Sequence, residues 1–118
     1  MKRILIVDDE ENIRELYRVE LSDEGYKVEL AENGQQALSK FESFRPDLVT
    51  LDVIMPGMNG IEVLQRIREK NPSVPVLLLT AFGDFRQDFT TWASDAYIVK
   101  SADVSELKET IRRLLGKK

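Results

Sequence analysis

Five polar residues stand at the ends of short apolar runs. Asp8 and Asp9 follow Ile4-Leu5-Ile6-Val7, and Asp52 follows Leu48-Val49-Thr50-Leu51. Thr80 follows Val76-Leu77-Leu78-Leu79, and Lys100 follows Ala96-Tyr97-Ile98-Val99. If the runs are parallel strands, their carboxyl ends meet in one crevice and bring the five together. Two carboxylates about 5 Å apart repel by roughly 3 kcal/mol at an effective dielectric near 20. Three of them exceed what Lys100 alone can offset. Helix capping, worth about 1 kcal/mol, accounts for one acid but not for the clustering of three. A divalent cation accounts for all three. Mg²⁺ typically takes one or two carboxylates, waters and substrate phosphate oxygens, so a phosphoryl group is the natural substrate. Phosphoryl transfer mainly needs positioning and neutralised charge. Lys100 supplies a cation, and the Thr80 hydroxyl and Ala81 N–H supply donors. A carboxylate can be the nucleophile and form an aspartyl phosphate. Asp52, alone on its strand ahead of the Pro/Gly-rich 55–60 loop, is the candidate.

Composition narrows the chemistry further. The 118 residues contain no Cys and no His. Disulfides, thiolate zinc sites, Cys nucleophiles, imidazole bases and a phospho-His on this chain are excluded. Any metal meets oxygen ligands, which favours Mg²⁺, Mn²⁺ or Ca²⁺ over Zn²⁺. The balance of 17 basic and 21 acidic side chains gives a formal charge of −4, a poor fit to a phosphate backbone. Direct nucleic-acid binding is therefore not expected. The apolar run after Arg3 stops at Asp8, too short for a signal peptide or a membrane span. The expectation is a soluble, cytoplasmic, single-domain protein over residues 1–118 with no membrane association.

The elements that would position these residues alternate regularly. Short strands at 4–7, 28–31, 48–51, 76–79 and 96–99, the first a continuous apolar run, alternate with helical patterns. The first helix carries Ile13, Leu16, Tyr17 and Leu21 and closes at Gly25. Asn33-Gly34 marks a turn before a helix with Ala37, Leu38 and Phe41. Ile61, Val63, Leu64 and Ile67 define a third helix, and Leu107, Ile111, Leu114 and Leu115 a last one. Residues 84–94 form a further helix candidate, with Phe85, Phe89 and Trp92 on one stripe read as core. Five strand–helix units predict an α/β fold with a parallel sheet covered on both faces.

Taken in order, these motifs resemble a known family. Asp8-Asp9 after the first strand, Asp52-x-x-Met-Pro-Gly-Met-Asn-Gly after the third, Thr80-Ala81 after the fourth and Tyr97-x-x-Lys100 at the fifth are similar to the receiver domains of two-component response regulators. The resemblance spans Lys2 to Leu115 and is nearest to stand-alone receivers of chemotaxis and sporulation-phosphorelay type.

That resemblance implies a (βα)5 doubly wound, flavodoxin-like sheet of strand order 2-1-3-4-5. It implies Asp52 as phosphoacceptor, and Mg²⁺ held by Asp9, Asp52 and the Ile54 carbonyl, with Asp8 acting through a water. Lys100, Thr80 and Ala81 would contact the phosphoryl group, and Thr80 and Tyr97 would switch position. The donor would be a phospho-His on a sensor histidine kinase or phosphotransfer protein, and the output a downstream protein target. Such a chain catalyses only its own phosphorylation and dephosphorylation. Ile13 and Leu16, with Ser101 beside Lys100, are candidate partner-docking residues; core packing is the other reading of Ile13 and Leu16. The family's usual Lys-Pro is Lys100-Ser101 here, and a cis peptide without Pro costs about 2.5–4 kcal/mol. The resemblance therefore leaves that peptide's geometry open. An aspartyl-nucleophile phosphatase is a second reading, but Asp8-Asp9-Glu10 lacks its Asp-x-Asp spacing. A phosphate-independent interaction module is a third.

Overall fold

A computed structural model describes residues 1–53, 55, 57–80, 95–100 and 103–116. The apolar runs form β1 (Arg3–Val7), β2 (Lys27–Ala31), β3 (Leu48–Asp52), β4 (Val76–Thr80) and β5 (Ala96–Val99). The helical patterns form α1 (Glu11–Asp23), α2 (Gly34–Phe44), α3 (Gly60–Lys70) and α4 (Ser105–Leu114). The five strands make one parallel sheet in the order β2-β1-β3-β4-β5. This is the doubly wound, flavodoxin-like arrangement expected from the sequence.

Strand alternation sorts the core into two layers. Leu5, Val7, Val49, Leu51, Val76 and Leu78 pack under α2 and α3 with Phe41, Val63 and Ile67. Ile4, Ile6, Leu48, Leu77, Leu79 and Ile98 pack under α1 and α4 with Tyr17, Leu21, Leu107 and Ile111. Both faces of the central strands β1, β3 and β4 are therefore dry, which explains why these read as nearly unbroken apolar runs.

The helix ends are fixed by local chemistry. Asn33 caps α2 by accepting from the Gln36 N–H at 2.8 Å, so Gly34 is the first helical residue rather than part of a preceding turn. Asn59 caps α3 in the same way. Gly25 follows α1 at φ 94°, a conformation open to glycine. At the far end of α3, Arg68 donates to the Val74 carbonyl and pairs with Asp95 at 2.7 Å. Asp95 also accepts from the Val76 N–H at 2.8 Å. This clasp sets the start of β5 against β4 and thereby places Lys100, one residue beyond β5. Among the described residues, no helix is long and apolar enough to cross a membrane.

Candidate functional site

The site follows from the register. β1 and β3 are neighbours, with Val7 opposite Leu51, so Asp8 comes alongside Asp52. Strand order reverses between these two strands, where open α/β sheets place their ligands. Alternation turns Asp8, Asp52 and Lys100 to the α1/α4 face, because Asp8 and Lys100 lie two residues beyond Ile6 and Ile98 and Asp52 lies four beyond Leu48, all core residues of that face.

The three carboxylates converge as the sequence suggested. Asp8, Asp9 and Asp52 each present an oxygen, and these atoms all lie within 4.8 Å of one another. Asp8 and Asp52 are almost wholly buried, at 1% and 3% exposure, while Asp9 is open to solvent. Lys100 Nζ lies 2.8 Å from Asp8 Oδ2 and 3.2 Å from Asp52 Oδ2. Thr80, fully buried, ends β4, and its carbonyl accepts from the Lys100 N–H at 2.7 Å. Tyr97 is buried on the edge strand β5, within the layer under α2 and α3.

The electrostatics of the site favour added positive charge. Burial, then the Asp8 charge, pushes the Asp52 carboxyl from its ordinary 3.8 up to about 7, against the opposing pull of Lys100. Burial raises Asp8 as well, although Lys100 and the Glu10 N–H lower it. Burial alone would depress Lys100, but hydrogen bonding and charge from Asp8 and Asp52 outweigh it and hold the ammonium above the usual lysine range. One ammonium thus serves several acids. Asp8 Oδ2 has the ion pair but no well-aligned hydrogen bond. A buried carboxylate oxygen in that state, with two more carboxylates beside it, suits a hard divalent cation. The donor set fits Mg²⁺.

Helix capping does not use these acids up. The N-cap of α1 is Glu10, and its side chain makes no cap bond. Asp8 Oδ1 accepts from the Glu10 N–H at 2.9 Å, which orders the turn and leaves Oδ2 to the site.

Several contributors escaped the sequence reading. Arg14 donates to the Asp8 carbonyl at 2.8 Å and pins the acidic turn from α1. Glu10 reaches Lys100 Nζ at 3.2 Å. Gly60 donates its N–H to the Val53 carbonyl at 2.8 Å, and a Cβ there would lie 2.1 Å from the Asp52 carbonyl oxygen. An acid at a helix start and a glycine after a Pro/Gly loop both have ordinary explanations, so no pattern singled them out. Ile13 and Leu16 are half-buried against the α1/α4 layer. Ile54, Ala81, Ser101, the Lys100-Ser101 peptide and the 84–94 segment with Phe85, Phe89 and Trp92 lie outside the described residues.

Comparison with known proteins gives the same answer from three directions. The family model described as "Response regulator receiver domain" matches residues 4–112. The chain is 38% identical over 115 residues to the transcriptional regulatory protein TrcR of Mycobacterium tuberculosis, covering 96% of this chain and 45% of TrcR. It is 38% identical over 117 residues to the response regulator ArlR of Staphylococcus aureus, covering 98% of this chain and 53% of ArlR. The chain spans about half the length of the curated relatives it matches. Among solved structures, the response regulator TrrA of Thermotoga maritima, in complex with Mg²⁺-BeF, is 53% identical at a TM-score of 0.92, covering 97% of this chain and 99% of that one. TrrA in complex with the histidine kinase ThkA is 52% identical at a TM-score of 0.90, covering 98% of this chain and 100% of that one. A carboxylate pocket at the β1/β3 switch point, on a sheet of this order and with relatives of this kind, belongs to one family: the chain is a response regulator receiver domain.

Proposed function

We propose that Asp52 accepts a phosphoryl group, with Mg²⁺ bound beside it, from a phospho-histidine on a partner kinase or phosphotransfer protein in the cytoplasm. The observation that carries this reading is the convergence of Asp8, Asp9 and Asp52 oxygens within 4.8 Å beside the Lys100 ammonium. The Mg²⁺-BeF complex of TrrA and the ThkA–TrrA complex support the cofactor and the kind of donor.

An Asp52 carboxylate oxygen attacks phosphorus, the P–N bond to the donor imidazole breaks, and the ring nitrogen regains a proton from solvent. Asp8, Asp9 and Asp52 would hold Mg²⁺, which would supply positive charge to the site during transfer. Lys100 releases part of its hold on Asp52 and pairs with the transferred group. The Thr80 hydroxyl, at the next strand end, is the side-chain donor that follows the new charge, and Tyr97 on β5 carries the change toward a protein target. Hydrolysis of the aspartyl phosphate returns the chain to its start, so it turns over no separate substrate.

The test is intact-mass detection of phosphoryl uptake from acetyl phosphate. One acid-stable, base-labile group per chain should appear with Mg²⁺ and not with a chelator. Uptake independent of the ion would contradict the reading. A second outcome concerns the metal alone. A single ion at about 100 times its dissociation constant stabilises by ~2.7 kcal/mol. Asp9→Ala should melt higher than the parent without Mg²⁺, since like charge is removed, and should lose most of the ion's increment. Thermal melts with and without Mg²⁺ check this, and an undiminished increment in the mutant would sink it.

A further inference from the structure

Lys100 has a third acidic partner that the phosphoacceptor reading does not use. Glu10 Oε1 lies 3.2 Å from Lys100 Nζ, as near as Asp52 Oδ2. The partners differ in burial. The Asp8 and Asp52 side chains are 1% and 4% exposed, Lys100 is 10% exposed, and Glu10 is 61% exposed. Glu10 is therefore the solvent-side acid on an otherwise enclosed ammonium. It holds the N-cap position of α1, yet its side chain makes no cap bond, so no local structural task occupies it. The nearby Arg14 guanidinium is committed to the Asp8 carbonyl at 2.8 Å and to Glu32 at 3.9 Å.

We infer that Glu10 is a positioning residue that draws the Lys100 ammonium toward the mouth of the pocket and slows phosphorylation by small anionic donors. This rests on the reading of Asp52 as phosphoacceptor. An entering phosphoryl group needs Lys100, and an exposed ion pair is the weakest of the three to displace. Displacement of Glu10 frees the ammonium for the phosphoryl oxygens while Asp8 and Asp52 keep it in place. Until then the Glu10 charge faces every anion that enters. Asp8 and Asp52 are shielded by burial and metal, whereas Glu10 meets the donor in solvent, where salt screens it.

The experiment measures initial phosphoryl uptake from acetyl phosphate at saturating Mg²⁺, on the full chain, by intact mass. Glu10→Gln keeps the side-chain volume and removes the charge. Its second-order rate constant should rise about three- to tenfold at low ionic strength and fall to within about twofold of the parent near 0.5 M salt. Glu11→Gln is the control, because Glu11 is an exposed acid one residue on with no contact to Lys100 among the described ones. It should change the rate by less than about 1.5-fold, since a screened, more distant charge acts weakly. Glu10→Ala should match Glu10→Gln. A Glu10→Gln rate equal to or below the parent's, an equal gain in Glu11→Gln, or a gain that persists at high salt would each overturn the inference while leaving Asp52 as acceptor. No uptake by the parent would overturn both.

Discussion

Asp52→Asn should abolish phosphoryl uptake and, in metal-free buffer, raise the melting temperature. The two effects share a cause. Asp52 is buried beside Asp8 with its pKa pushed up to about 7. The folded chain therefore holds a proton on this group over a range where the unfolded chain has released it. By linkage, the Asp52 contribution to metal-free stability is most favourable below its ordinary 3.8, declines as pH rises, and levels off above about 7. Asparagine removes the charge at nearly constant shape, and Lys100 keeps Asp8 and Glu10 as partners. At about pH 8 the mutant should melt at least about 5 °C above the parent, with the gap closing toward about pH 4. Uptake should fall by at least about a thousandfold, because an amide is a poor nucleophile at neutral pH. Melts across pH and intact mass after phosphodonor treatment read both effects. A mutant that melts below the parent at about pH 8 without metal would contradict the electrostatic account.

Gly60→Ala should be the most damaging small substitution near the site. The added Cβ would lie 2.1 Å from the Asp52 carbonyl oxygen and 2.8 Å from Val53 Cα, both main-chain atoms. No rotamer relieves such a clash, so α3 must move away from the end of β3 and break the hydrogen bond from the Gly60 N–H to Val53. We expect a loss of about 3 kcal/mol or more, near 10 °C in melting temperature. Phosphoryl uptake should slow as well, because the displaced main chain is that of Asp52. Gly25→Ala is the comparison. Gly25 has φ 94° but nothing within 4 Å of an added Cβ, so only backbone strain of about 1 kcal/mol is expected. Equal losses in the two mutants would show that close approach is not what Gly60 provides.

The fold was readable because both faces of the sheet are covered. That makes Ile4–Val7 or Val76–Leu79 read as unbroken apolar runs, and strand ends then announce the crevice. Asp8, Asp9, Asp52, Thr80 and Lys100 were legible for the same reason. What the sequence hid depends on contacts across the chain. Glu10 looks like a first-turn acid until β5 brings Lys100 to it, 90 residues away. Arg14 looks like a surface charge until α1 turns it onto the Asp8 carbonyl. Gly60 looks like a loop residue until α3 docks against the end of β3. Asn33 beside Gly34 reads as a turn in the sequence and serves as a cap in the fold, because the same residue types suit both purposes.

If Asp8, Asp9 and Asp52 share one divalent ion, titration of ¹⁵N-labelled protein with Mn²⁺, competed by Mg²⁺, will reveal it. Paramagnetic broadening should centre at substoichiometric Mn²⁺ on the amides of Asp8, Asp9, Val53 and Lys100 and be reversed by Mg²⁺. Broadening spread over outer acids such as Glu20, Glu24 and Glu42, with the strand ends untouched, would contradict it.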